Sequence, residues 1–369
     1  MGSTLHDAEA LLADVEKESL QQLLNAARSS AAGITRIPAI DAHIRSVFPE
    51  QSTPLSTLRR GDVIEIQGPS SSGKTHLLYH LIGTCVLPAK FAGWNKVAVV
   101  FDVDGTFDVR RFHHLLHSRI AAASTSELDQ NMADAARVTA LAMRSLRIFR
   151  PSSSIQLAAS LANLAAYHAG SLPSSEVALL AVDSMSAHYW PDRFRAEEAR
   201  LQPPPATAVS KSAPNLLHTI LVEMERFRAS HRPVIVMTTW GLNPTYKESN
   251  ASIVSYKQHL HPFPTLMSAN ALAPSTPGPD PYPPLTHHIT LNVAPMPPFP
   301  PGARLSDVHE EDERFTLMMA QRGKSIGLVR TSGKAETAVF GMRVAPSQVI
   351  FTEEEKTIPE SLPVNIHER

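Results

Sequence analysis

Eight consecutive residues, Gly68-Pro69-Ser70-Ser71-Ser72-Gly73-Lys74-Thr75, match the spacing G-x-x-x-x-G-K-[ST] at every fixed position. These residue types at this spacing can cradle a polyphosphate. Gly68 and Gly73 let the backbone turn and approach a polyanion with no Cβ in the way. Main-chain N–H groups and the N-terminus of a following helix then face the phosphates. Lys74 supplies a point charge between the β- and γ-phosphates, and the Thr75 hydroxyl can ligate Mg2+. The flanks suit the motif: a short apolar strand, Val63–Ile66, precedes it, and an amphipathic stretch follows to about Val86. The Asn-Lys-x-Asp signature of guanine recognition is missing, so ATP is the expected nucleotide.

Other candidates are aspartates. Asp183 closes the apolar run Val-Ala-Leu-Leu-Ala-Val, about a hundred residues after the loop. A buried parallel strand reads this way, and an aspartate at its end can hold Mg2+ through water. Asp102 and Asp104 close another apolar strand, Lys96–Phe101. A carboxylate there would face the ligand crevice of an open α/β sheet and could orient an attacking water. Two residues apart, they share a face of the strand, and spacing leaves both open. His113 and His117 stand four apart on an expected helix and could share a metal, but no further ligand pattern supports it. Gly323-Lys324-Ser325 lacks the first glycine of a phosphate loop and reads as a turn. Arg193, Arg195, Arg200, Lys247, Lys257, Arg322 and Lys324 are candidate nucleic-acid contacts.

The surrounding elements alternate. Helices are expected over Asp108–Ala121, Ser126–Met143, Ile155–His168 and Pro214–Ser230. Strands are expected at Leu146–Phe149, Glu176–Val182 and Pro233–Thr239. That alternation predicts an α/β fold with a largely parallel central sheet covered on both faces. After it come His287–Val293 and a closing β-meander from Arg314–Gln321, Gly327–Thr331 and Ala338–Val344. The expected organisation is an N-terminal helix and linker over 1–58, a core over 59–350 and a tail over 351–369. Proline-rich insertions fall at about 197–213, 240–285 and 294–313. Leu5–Ala32 has leucines at helical spacing, suited to packing on the core or on a partner. Arg36–Leu58 reads as loop, with Pro38, Pro49 and Pro54 as breakers.

Composition narrows the partners. Net charge is -1, so any nucleic-acid contact must come from local basic loops. The one cysteine, Cys85, excludes an intrachain disulfide and is expected in the core. The opening residues hold Asp7, Glu9 and Asp14 and no long apolar run, so no secretory signal is expected. No stretch is apolar enough to predict a membrane span.

Together these residues resemble the RecA-like ATPase core of the eukaryotic strand-exchange recombinases and their paralogues. The resemblance rests on the Gly68–Thr75 loop, on Val99-Val-Phe-Asp-Val-Asp-Gly-Thr-Phe107, and on Asp62-Val-Ile-Glu-Ile before the loop. It rests also on Leu78-Tyr79-His80-Leu81 and Asp183-Ser-Met-Ser-Ala-His-Tyr-Trp-x-Asp-Arg193. It covers about Gly61 to Thr239 well and the closing β region weakly. It implies a RecA-like P-loop NTPase fold, ATP and Mg2+ as cofactors, and nuclear work in homologous recombination. Implied partners are other recombinase paralogues and single-stranded or branched DNA. It places the family's catalytic glutamate on Asp104, one methylene shorter, and its polar sensor near Trp240. It also puts DNA-contacting loops after Asp183 and Thr239.

Overall fold

A computed structural model describes residues 31–50, 52, 56–123, 128–201, 216–245, 254–257, 259–260, 282–293 and 324–353. Among the readings above, most of the Leu5–Ala32 helix, the strand at Arg314–Gln321, most of the proline-rich insertions, Lys247, Arg322 and most of the tail lie outside the described residues. Among the described residues, nine strands form one sheet. In chain order they are β3 (Val63–Gly68), β4 (Val97–Asp102), β5 (Leu146–Phe149), β6 (Val177–Asp183), β7 (Val234–Trp240), β10 (His287–Val293), β11 (Lys324–Thr331), β12 (Thr337–Val344) and β13 (Val349–Glu353). Two small sheets pair β1 (Ala31–Gly33) with β2 (Leu58–Arg59), and β8 (Asn243–Thr245) with β9 (Ser255–Lys257).

The order across the large sheet is β13-β12-β11-β10-β3-β7-β6-β4-β5. From β10 to β5 every neighbouring pair is parallel. From β10 to β13 every pair is antiparallel, which is the closing meander. The parallel strands read as near-continuous apolar runs because both faces are covered. Ala98 and Val100 of β4 face one core, and Val97, Val99 and Phe101 face the other. Helices α2 (Lys74–Val86), α3 (Val109–Ala123) and α4 (Leu128–Arg144) cover the first face. Helices α5 (Ser154–Ala162), α6 (Leu164–Ser171) and α8 (Leu216–His231) cover the second. The single helix read over Ile155–His168 is thus two, divided at Asn163, whose side-chain amide donates back to the Ala159 carbonyl (2.8 Å). Helix α7 (Tyr189–Leu201) follows β6 where no element was read. Cys85 is buried, as expected, and its burial pushes the thiol pKa up.

The loop read over Arg36–Leu58 is corrected. Pro38–Val47 is a helix, α1. Pro38 starts it instead of breaking it, because a proline in the first turn gives up an N–H that has no partner there. Ile37, Ile40 and Ile44 bury one stripe in the first core. Buried Asp41 anchors the entry, accepting from Thr35 N (3.0 Å), Thr35 Oγ1 (2.9 Å) and Thr57 Oγ1 (2.5 Å).

A buried polar row crosses β7, β3, β10 and β11. Thr239 donates to Glu65 (2.6 Å), and His288 Nε2 lies 3.9 Å from that carboxylate. Arg330 donates to His288 Nδ1 (2.8 Å) and to Thr290 (2.8 Å). Burial, then the Arg330 charge, holds His288 neutral with its pKa lowered to about 3. The unfolded chain would carry a proton there below the ordinary value of 6.5. Stability from this histidine is therefore complete above pH 6.5 and is lost as pH falls toward 3, by up to about 1.4 kcal/mol per unit. Urea midpoints at pH 7.5 and pH 5 should fall with acid, and the fall should be shallower in His288→Gln; equal slopes would contradict this account.

Candidate functional site

Four parallel strands end at one edge of the sheet. Gly68 ends β3, Asp102 ends β4, Asp183 ends β6 and Trp240 ends β7. Ligands of open α/β sheets bind outside such carboxyl ends. The segment Gly68–Thr75 crosses this edge into α2, whose N-cap is Gly73 with no side-chain cap. The first N–H groups of a helix have no partner within it, so this N-terminus can receive an anion.

Backbone geometry explains the residue types. Gly73 has φ +90°, and Ser71 also lies in the left-handed region at +61°. A Cβ on Gly68 would stand 2.5 Å from the Leu291 carbonyl oxygen of β10. One on Gly73 would meet the terminal methyl of Met342 at 2.4 Å. Gly241 closes the loop from the far side, its N–H donating to Gly68 O (2.8 Å). Pro69, Ser70 and Ser71 form the outer turn, whose Ser72 N–H donates to Pro69 O (3.4 Å). Ser72 Oγ is buried and has no hydrogen-bond partner among the described residues.

Lys74, Thr75 and Asp183 come together. The Lys74 ammonium donates to Gly68 O (2.9 Å) and Pro69 O (2.8 Å), so the loop clasps its own lysine. Burial lowers the Lys74 pKa, against the opposing charges of Asp183 and Asp104. Thr75 Oγ1 donates to Asp183 Oδ2 (2.9 Å), and Thr238 donates to Asp183 Oδ1. Burial raises the Asp183 pKa, and its two hydroxyl donors pull the other way. An ammonium, a hydroxyl and a carboxylate at a helix N-terminus could hold a phosphate chain and a hard cation.

The two aspartates left open by the sequence part company. Asp102 is buried and structural: it accepts from Phe107 N (3.1 Å) and Arg150 Nε (2.8 Å). Asp104 is exposed and accepts from Thr106 N (3.2 Å) and Thr106 Oγ1 (2.7 Å) on its own turn. Its charge still reaches Lys74 and Asp183, opposing the fall of the lysine pKa and adding to the rise of the aspartate pKa. Trp240 is half-buried; its backbone N–H donates to Ser186 Oγ (2.9 Å), and its indole lies roughly parallel to the His259 ring, centroids 6.5 Å apart.

The remaining candidates scatter. The rings of His113 and His117 lie 6.4 Å apart, and no metal-ligand group of three or more occurs among the described residues. Arg193 pairs with Glu197 (2.9 Å), and Arg195 with Asp192 (3.6 Å), both on α7. The Arg200 side chain lies outside the described residues. Lys257 is exposed on β9, and Lys324 opens β11 as a strand residue where a turn was read. Thr238, Ser186 and Gly241 were missed. The signal for Thr238 and Gly241 was a polar end to an apolar strand, Thr-Thr-Trp-Gly, and that for Ser186 its place in Asp183-Ser-Met-Ser; a partner strand is needed to give either meaning.

The class these features define is an α/β protein with a mostly parallel central sheet and a Gly-Lys-Thr loop at its carboxyl edge. No family model matches the chain. The chain is similar to DNA repair protein XRCC2 of Mus musculus, 32% identical over 154 residues, 42% of this chain and 49% of that protein. It is also similar to the DNA repair protein XRCC2 homolog of Arabidopsis thaliana, 27% identical over 207 residues, 49% of this chain and 55% of that protein. The chain thus spans about half the length of the curated relatives it matches. These similarities bear out the resemblance to the recombinase paralogues.

Gly68→Ala drives a Cβ into a strand carbonyl, whereas the Met342 methyl facing Gly73 can swing away. Gly73→Ala should cost about 1–2 kcal/mol for its left-handed backbone. Gly68→Ala should cost more, about 3 kcal/mol, since backbone must shift. Denaturant titration of both variants gives the order, and the reverse order would refute the loop geometry.

Proposed function

We propose that this chain is an ATP–Mg2+-binding subunit of a recombinase-paralogue complex. It would work in the nucleus, in homologous recombination and the repair of double-strand breaks and stalled forks. There it would assist assembly of the recombinase on single-stranded or branched DNA. The observation that carries this reading is the meeting of Lys74, Thr75 and Asp183 at the N-terminus of α2, in a chain similar to proteins named for DNA repair.

The residues fit the nucleotide. Lys74 would exchange its two loop carbonyls for phosphate oxygens, and Thr75 would turn from Asp183 to the metal. Buried Ser72 Oγ offers a further polar group beside the loop. Bound Mg2+ would neutralise charge on the β- and γ-phosphates. Asp183, held by Thr238, would take the metal through water.

The same residues support binding without fast turnover. Asp104 is shorter than the family's glutamate by one methylene, about 1.5 Å. A misplacement on the order of 1 Å costs about a hundredfold in rate. Asp104 is also bonded to its own turn, and Trp240 offers the γ-phosphate no side-chain amide. The competing reading, a DNA-dependent ATPase, draws on the Asp104 charge reaching Lys74 and Asp183.

Lys74→Ala should weaken binding of a fluorescent ATP analogue by about a hundredfold, the loss of charged hydrogen bonds worth about 3 kcal/mol. Unchanged affinity in a folded variant would overturn the site. Phosphate release by the wild-type chain should stay slow with and without single-stranded DNA. Rapid DNA-stimulated release, abolished by Asp104→Asn, would establish the ATPase reading instead.

A further inference from the structure

A cavity of about 410 Å3 lies away from the Gly68–Thr75 loop, lined from α2, α3 and β13. Small-molecule sites run from about 300 to 1,000 Å3, so one small ligand would fill it. Tyr79, Phe112, Leu116 and Phe351 give it apolar walls. Three of these four are rings, which suits a flat aromatic body. A glycine opens the α2 side. Gly83 stands inside the helix, where glycine costs about 1 kcal/mol relative to alanine. A Cβ there would lie 3.1 Å from Leu116 Cδ2, 3.9 Å from Phe112 Cε2 and 4.0 Å from Arg119 Nη1, all groups of lining residues. The missing side chain is part of the space.

The charge on the cavity has one sign. Half-buried Arg119 lines it and donates to Thr84 Oγ1 (2.9 Å), a neutral acceptor. It forms no salt bridge among the described residues. Burial, then the charge of exposed Arg36, lowers its pKa to about 10. His80 also lines the cavity. Burial, then the Arg119 charge, holds it neutral with its pKa lowered to about 3, and its Nε2–H donates to Thr35 O (2.9 Å). No aspartate or glutamate lines the cavity. A guanidinium drawn partly out of water beside a neutral acceptor is short of a counter-ion, and an anion that reaches it is favoured. The planar fork of arginine matches a carboxylate, and one half-buried cation matches one negative charge. We infer that this cavity binds a small aromatic carboxylate, its ring against Tyr79, Phe112 and Phe351 and its carboxylate on Arg119. The inference is independent of the nucleotide reading, since Lys74, Thr75 and Asp183 do not line the cavity.

The test uses the full chain and para-trifluoromethylbenzoate, followed by fluorine NMR, with the neutral para-trifluoromethylbenzamide as its match in shape. The wild-type chain should bind the benzoate about tenfold more tightly than the benzamide, the loss expected for a charge-assisted hydrogen bond. Binding of neither probe, or equal affinity for both, would overturn the inference. That comparison needs no variant, so it stands even where a substitution fails to fold. In Arg119→Met, which keeps an apolar stem, the benzoate should weaken by about the same tenfold while the benzamide holds its affinity. A preference that survives in the folded variant would overturn the role of Arg119. Gly83→Ala narrows the cavity and favours the helix. It should weaken both probes alike, and unchanged affinities would overturn the location. Tighter binding of para-trifluoromethylphenylphosphonate than of the benzoate would overturn the carboxylate class.

Discussion

The arrangement depends on one buried carboxylate held by two threonine hydroxyls. Asp183 ends β6, Thr75 opens α2 and Thr238 lies near the end of β7. A lone carboxylate in this apolar crevice would tend to protonate, and burial does push its pKa up. The hydroxyls oppose that shift and fix the helix bearing the lysine against two neighbouring strands. The Thr75 hydroxyl ties the first turn of α2, which carries Lys74, to β6, and the buried apolar face of the helix seats the rest.

The lysine is the second half of the same constraint. Its partners are carbonyls of its own loop. A cation so placed keeps the turn closed while leaving the helix N-terminus aimed outward. Gly241 reinforces the turn from β7, and Met342 presses on it from β12. The antiparallel meander is therefore no appendage: it forms part of the wall behind the loop.

On the proposed nucleotide reading, binding and turnover would be separable for a geometric reason. The groups that would grip a nucleotide stand on α2 and β6 and are held by part-buried hydrogen bonds. The group that would activate water, Asp104, stands on an exposed turn and is occupied by Thr106. On the proposed reading, affinity and rate would rest on different parts of the structure, and a change at Asp104 or Trp240 would alter the rate alone.

The sequence by itself determined the Gly68–Thr75 loop, the apolar strands around it and Asp183 as a strand-end carboxylate, because local spacing and periodicity encode all three. It also carried the family resemblance. It misread α1, since Pro38 is a breaker inside a helix and a favoured residue in its first turn, and only burial of Ile37, Ile40 and Ile44 decides between them. Strand order was likewise invisible. Thr238 and Thr239 acquire roles only because β7 lies between β6 and β3, one hydroxyl reaching Asp183 and the next Glu65. Asp102 and Asp104 are equivalent by spacing, and it took Arg150, 48 residues along the chain, to claim the first as structure. Contacts between residues far apart in sequence have no local period, so only the tertiary structure could decide them.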